Sequence, residues 1–192
     1  LGDVYKRQVL DLLEELNKIK PIWVELGLQT IHEDSARFIR RGYTLSVFEH
    51  AVKALRERGI DVIVHVILGL PGETQKHMLD TVRYLNTKDI QGIKLQLLHI
   101  LKDTDLCDYY HAHPFPVLSM EEYFQIIGKC IENLRPDIVI HRLTGDGPKS
   151  LLIAPSWSAN KRFVLNKLQS YLKASNIWQG KELSYGSSIQ TL

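Results

Sequence analysis

Two junctions constrain this chain more than any other feature. Trp23-Val24-Glu25-Leu26-Gly27-Leu28-Gln29 and His65-Val66-Ile67-Leu68-Gly69-Leu70-Pro71-Gly72-Glu73-Thr74 each carry an apolar strand into small or polar residues just ahead of a helix. In a barrel of alternating strands and helices, the active site is assembled from such carboxyl-terminal strand ends. The rest of the chain repeats the alternation. Val9, Leu10, Leu12, Leu13, Leu16 and Ile19 recur at helical spacing, Pro21 stops that helix, and residues 22–28 read as a strand. Residues 32–40 and 45–58 read as helices, each followed by a glycine (Gly42, Gly59) suited to a left-handed carboxyl-terminal cap. A second strand over 60–68 is dense in Val and Ile, as buried parallel strands are. A helix follows over 74–86, then a third strand over 92–98. Ser119-Met120-Glu121-Glu122 is a capping box that opens a helix running to about Leu134. A short fourth strand over 137–141 and a helix over 160–174 complete the pattern.

Alternation with short connections means a parallel sheet with helices outside it, an α/β fold. The strand faces carry the functional signal. In the first strand Val24, Leu26 and Leu28 share one face, while Trp23, Glu25, Gly27 and Gln29 share the other. His65 lies on the face of Ile63, Ile67 and Gly69, Lys94 and Gln96 share a face, and either His141 or Arg142 points inward. A structural barrel fills its interior with branched aliphatics. Polar groups repeated on one face of several strands predict a lumen holding a polar ligand, since each buried unpaired costs roughly 1–3 kcal/mol. A simple Glu25–Lys94 pair across the lumen is the alternative.

Composition narrows the function classes. The 192 residues carry a net charge of +2, which gives no global pull toward nucleic acid. Lys149, Lys161, Arg162, Lys167, Lys173 and Lys181 form a basic run that reads first as a solvated helix face and second as an RNA surface. No apolar run approaches the roughly 20 residues that span a bilayer, so no membrane partner is expected. Two cysteines, Cys107 and Cys130, fit a reducing, cytoplasmic setting and argue against a disulfide scaffold. They lie well apart in the sequence, and no metal ligand set is read from it. Residues 1–8 have no fold logic of their own and read as a non-native leader. The predicted organisation is barrel core over 9–146 and a helical extension over 147–192.

With these residues in view, the chain resembles the radical S-adenosylmethionine enzymes, in particular the YhcC-like family of the Elongator-type group. The resemblance runs from about Ile22 to Gln179. It rests on Glu25-Leu26-Gly27-Leu28-Gln29-Thr30, Arg40-Arg41-Gly42, the 65–74 junction, Lys94-Leu95-Gln96-Leu97-Leu98-His99, His141-Arg142-Leu143-Thr144-Gly145-Asp146 and Leu152-Ile153-Ala154-Pro155-Ser156-Trp157-Ser158. It implies a partial (β/α)6 TIM-like barrel, of which this chain would be the carboxyl-terminal half. The implied cofactors are S-adenosylmethionine and a 4Fe-4S cluster fed by an electron donor. It also implies that Glu25, Gln29, Arg41, His65, Gly69, Pro71 and Gly72 lie on the cofactor side, with Gln29 as an amide contact and Arg41 reaching the methionine carboxylate. His65 would face the ribose, and the backbone of 68–72 the adenine. Lys94, Gln96, His99, His141 and Arg142 become substrate-side candidates without assigned roles, and transfer RNA one candidate substrate.

Each residue also has a plainer reading. Arg41 at a helix end is a dipole partner, His65 a satisfied interior histidine, and Gly72-Glu73-Thr74 a turn and N-cap. The family's three-cysteine cluster loop is not in this chain, so the resemblance implies a fragment that does not cleave S-adenosylmethionine by itself. Two other functions remain in play: a non-radical barrel lyase or aldolase using Lys94 as a Schiff base, and a non-catalytic binding domain.

Overall fold

The strands of the main sheet pair in the order in which the chain lays them down. In this computed structural model, which describes residues 2–145 and 147–186, β1 (Trp23–Gln29), β2 (Asp61–Leu68), β3 (Gly92–Leu97) and β5 (Val139–Arg142) lie side by side in that sequence. Every pair is parallel, with Gly27 opposite His65, His65 opposite Lys94 and Lys94 opposite Arg142. The intervening helices are α1 (Gly2–Ile19), α2 (Glu33–Phe38), α3 (Leu45–Arg56), α4 (Gln75–Leu85), α5 (Asp105–Ala112) and α6 (Met120–Glu132), and α7 (Lys161–Ala174) and α8 (Lys181–Gly186) follow.

One face of the sheet holds the core. Val62, Val64, Val66 and Leu68 of β2 and Ile93 and Leu95 of β3 are at most 1% exposed. They pack in one cluster with Phe48, Val52 and Leu55 of α3, Met78, Val82 and Leu85 of α4, and Ile127 and Ile131 of α6. Val24, Leu26 and Leu28 join the same cluster, so the helices lie on one side and the opposite face is left for Glu25, His65 and Lys94. Sequential order with helices on a single face is the winding of a barrel, not of a doubly wound sheet. The fold is therefore a sector of a partial TIM-like barrel.

Local signals set the element ends. Thr74 and Ser119 cap α4 and α6, each through a reciprocal capping box. Gly59, at φ +68°, closes α3, with the Ile60 N–H returning to the Leu55 carbonyl. For α2 the expectation was wrong. The left-handed position belongs to Arg40 (φ +55°), with the Arg41 N–H bonded to the Ala36 carbonyl, and Gly42 makes a second left-handed turn beyond it. The first helix begins at Gly2, within the segment set aside as a leader, and runs without a break to Ile19.

A second, two-stranded sheet was not anticipated: β4 (Ile100–Leu101) pairs antiparallel with β6 (Leu152–Ala154). It ties the segment after β3 to the region read as a helical extension.

Candidate functional site

The polar residues of the open sheet face form one connected set. Lys94 Nζ lies 2.6 Å from both carboxylate oxygens of Glu25. His65 Nε2 lies 2.7 Å from Glu25 Oε2, and Gln96 Nε2 lies 3.0 Å from His65 Nδ1. The Lys94 ammonium, helped by the His65 bond, holds the Glu25 carboxyl down at about 2. The Glu25–Lys94 pair thus exists, and it sits inside a larger network with His65 and Gln96. Lys94 is held as an ion pair by two carboxylate oxygens and is not the uncommitted amine that a Schiff base needs.

At the end of β1 the chain bends sharply. Gln29 takes φ +62°, the register slips between Gly27 and Gln29, and the Gln29 amide folds back over Gly27. A Cβ on Gly27 would stand 2.6 Å from Gln29 Nε2, so the glycine is what leaves the amide its seat. Gln29 Oε1 is enclosed and has no hydrogen-bond partner among the described residues. Gly27 is the register partner of His65, so Gln29 and His65 converge on the same side of the sheet.

Arg41 braces this bend from below. Its side chain is 1% exposed. Nη1 donates to the carbonyls of Leu28 (3.2 Å) and Thr30 (2.8 Å), Nε to the Tyr43 carbonyl (2.8 Å), and Nη2 to Glu33 Oε1 (2.9 Å). The Tyr43 hydroxyl donates to the Gly27 carbonyl. Two residues that the sequence reading did not single out join the two junctions. Thr30 Oγ1 donates to Glu73 Oε1 at 2.6 Å and accepts from the His32 N–H at 3.1 Å. Glu73 follows the Gly69–Gly72 turn, whose glycines take φ +89° and +80° with Pro71 half-buried between them. In that turn the Gly69 N–H is spent on Met78 Sδ (3.1 Å), and the Leu68 carbonyl accepts from Leu98.

The substrate-side candidates separate into two groups. His141 lies over Gly92, where a Cβ would come within 2.6 Å of its ring, so it faces the open side beside Lys94. Gln96, His99 and Arg142 line a cleft of about 360 Å³ at the carboxyl ends of β3 and β5. A neighbouring cleft of about 440 Å³, floored by Ile67, Leu70 and Leu98, runs under the Arg40–Asp105 ion pair. Both His141 and Arg142 therefore serve the site side, because a register shift between Ile93 and Lys94 breaks the simple alternation. His99 is built in firmly. It accepts from the Gly147 N–H at 3.3 Å, bonds Ser158 Oγ at 3.0 Å, and is pressed by Gly145, whose added Cβ would fall 2.3 Å from the ring. Asp146 lies outside the described residues.

Cys107 and Cys130 are both buried, in different clusters: Cys107 with Ile100 and Ala154, Cys130 in the main core. Burial pushes the Cys130 thiol up to about 12. Among the described residues no group of three or more His, Cys, Asp or Glu could hold a metal ion. No described helix is long and apolar enough to cross a membrane.

A sequential parallel sheet with polar side chains converging at its carboxyl edge defines a barrel enzyme scaffold, and comparison with known proteins narrows it. The family described as Radical SAM superfamily matches residues 2–85, and Radical_SAM C-terminal domain matches 90–174. YtqA of Bacillus subtilis (strain 168) is 40% identical over 179 residues, covering 93% of this chain and 56% of that protein. YhcC of Escherichia coli (strain K12) is 33% identical over 176 residues, covering 91% and 57%. A tRNA uridine(34) acetyltransferase of Methanocaldococcus jannaschii is 23% identical over 144 residues, covering 73% and 27%. The solved structure of Methanocaldococcus infernus Elp3 with an N-terminal deletion matches with TM-score 0.70 and 17% identity over 87% of this chain and 39% of that one, a likeness of fold. The chain belongs to the radical SAM superfamily, in its YhcC-like, Elongator-type group. It spans about half the length of the curated relatives it matches.

Proposed function

We propose that this chain supplies the S-adenosylmethionine-holding strand ends of a radical enzyme. The observation that carries the reading is Gln29 Oε1, enclosed over Gly27 and without a donor among the described residues. A buried acceptor left unpaired costs roughly 1–3 kcal/mol, so a ligand that brings an N–H or O–H to this point is favoured. An adenosyl group with an amino acid tail offers several. When bound and reduced, S-adenosylmethionine supplies a 5′-deoxyadenosyl radical.

The chain's own residues position and exclude. Gln29 accepts a hydrogen bond from the ligand. The turn after β2 brings backbone close at Gly69 and Gly72, with Leu70 on the cleft floor. Arg41 acts through the carbonyls it fixes, and a direct contact with the methionine carboxylate would replace its bond to Glu33. Glu25, ionised and paired with Lys94, holds His65 in place. The two cysteines are buried in separate clusters, so the described residues do not fit a 4Fe-4S cluster, and its ligands and electron donor belong to the proposal for the intact protein.

Anaerobic reconstitution of the intact gene product with iron and sulfide, followed by assay for 5′-deoxyadenosine, tests the activity. The expected result is production that falls at least tenfold in Q29A. Full production in Q29A, or none in the wild type, overturns the reading. As substrate, transfer RNA is favoured by one feature: Lys161, Arg162, Lys167 and Lys173 are all exposed on α7, with Phe163 exposed among them. Binding of transfer RNA that is unchanged when Arg162 and Lys167 are both replaced by Glu would remove that face from consideration.

A further inference from the structure

The hydrogen bonds of the open face have a direction, and it ends in a cleft. Glu25 is ionised, so its Oε2 only accepts, and His65 Nε2 at 2.7 Å carries a proton. In a neutral imidazole the other nitrogen is then bare. Gln96 meets that bare Nδ1 at 3.0 Å, which orients the amide with its NH2 toward His65. The opposite end, Gln96 Oε1, is bonded to none of the described residues, and the side chain lines the cleft between the ends of β3 and β5.

We propose that Gln96 is a specificity-determining residue of this cleft, and that His65 sets whether it offers an acceptor or a donor there. With His65 neutral, Gln96 presents Oε1 to a ligand N–H or O–H. When His65 takes a second proton from solvent, Nδ1–H needs an acceptor. Rotation of the amide by half a turn then supplies Oε1 inward and turns the NH2 toward the cleft, where it meets a ligand carbonyl or anionic oxygen. Neither state loses a hydrogen bond, because an amide has one donating and one accepting end. The charged and titratable groups facing the pair are Glu25 from β1, Lys94 from β3, His141 and Arg142 from β5, and His99 beyond β3. Lys94 is neutralised by Glu25, so the charge gained at His65 is the change the cleft experiences.

The inference rests on reading the strand ends as a ligand site, but its relay is measurable without any cofactor. Long-range proton–nitrogen NMR of the 192-residue chain, labelled in histidine rings and glutamine amides, reads both halves. The expected result is a single Nε2–H tautomer for His65 in its neutral form, and Gln96 amide resonances that change when His65 gains its second proton. E25Q is expected to mix the tautomers. Titration with formate, as the smallest anionic acceptor, is expected to perturb Gln96 at least threefold more when His65 is protonated, and acetamide more when it is neutral. An Nδ1–H tautomer in the wild type, Gln96 resonances indifferent to His65, or formate shifts equal in both states would each overturn the proposal. The wild-type spectra decide this even if E25Q fails to fold. Failure of the cofactor reading shows separately, as S-adenosylmethionine leaving the Gln29 amide resonances unmoved while the His65–Gln96 coupling persists.

Discussion

Lys94 and Glu25 meet across an intervening strand. They sit on β3 and β1, with β2 between them, yet Lys94 Nζ reaches both Glu25 oxygens at 2.6 Å. Strands two apart in a flat sheet stand roughly 9–10 Å from each other. Two long side chains span that gap readily when the sheet curves toward them, as a barrel wall does on its inner side. The same curvature places His65 beneath the pair and lets one carboxylate serve both partners.

This arrangement makes stability sensitive to acid. The Glu25 carboxyl is held at about 2 in the folded chain, against its ordinary 4.5. As pH falls, the unfolded chain therefore takes up this proton first. The stabilisation is complete above about 4.5 and is lost as pH falls toward about 2. The Glu25 side chain is 36% exposed, so the effect is of order 1 kcal/mol or less. Urea melts of the wild type and K94M should differ by that amount at pH 6, with the difference shrinking as pH falls from about 4.5 through about 2.

Replacing Gly27 with Ala should disturb ligand binding more than folding. The new Cβ would stand 2.6 Å from Gln29 Nε2, the far end of a flexible side chain that can swing away. We expect a loss of stability below about 1 kcal/mol, with the Gln29 amide displaced from its seat. Calorimetric binding of S-adenosylmethionine to the intact protein should weaken at least tenfold, while the thermal midpoint barely moves.

Arg41→Lys should be destabilising despite keeping the charge. Lysine cannot reproduce the planar fork that serves Leu28, Thr30, Tyr43 and Glu33 together. Carbonyls stripped of a buried donor cost roughly 1–3 kcal/mol each, so a loss of about 2–4 kcal/mol is expected in denaturant titration. Amide exchange should accelerate first at the carboxyl end of β1.

Gly145→Ala should strain the segment that follows β5. A Cβ there would fall 2.3 Å from the His99 ring, which is already pinned by Gly147 and Ser158. Overpacking of this kind costs about 1–3 kcal/mol. A fall of that size in urea melts, together with altered His99 ring resonances, is the expected result.

Much of the fold is visible in the residues alone. The main strands and their helix-facing stripes announce themselves because buried parallel strands are dense in branched aliphatics and alternate with helical periodicity. The β4–β6 ribbon escapes because strands of two and three residues are too short to show any period. Arg40 escapes as a helix terminator because nothing in an arginine marks a left-handed backbone. At the site, inward polarity identifies Glu25, His65, Lys94 and Gln96. Their connections depend on register between strands some 30 to 70 residues apart. The Thr30–Glu73 clamp is similarly hidden, since Glu73 reads locally as part of a turn and its partner lies 43 residues away.

The order of the strands bears on how the molecule is made. In the main sheet each strand after β1 finds its partner among segments already emerged from the ribosome, while β4 of the two-stranded ribbon waits for β6. Nascent chain can thus dock unit upon unit as synthesis proceeds. Such growth keeps the search local and shortens the time during which sticky, half-assembled surface is on display.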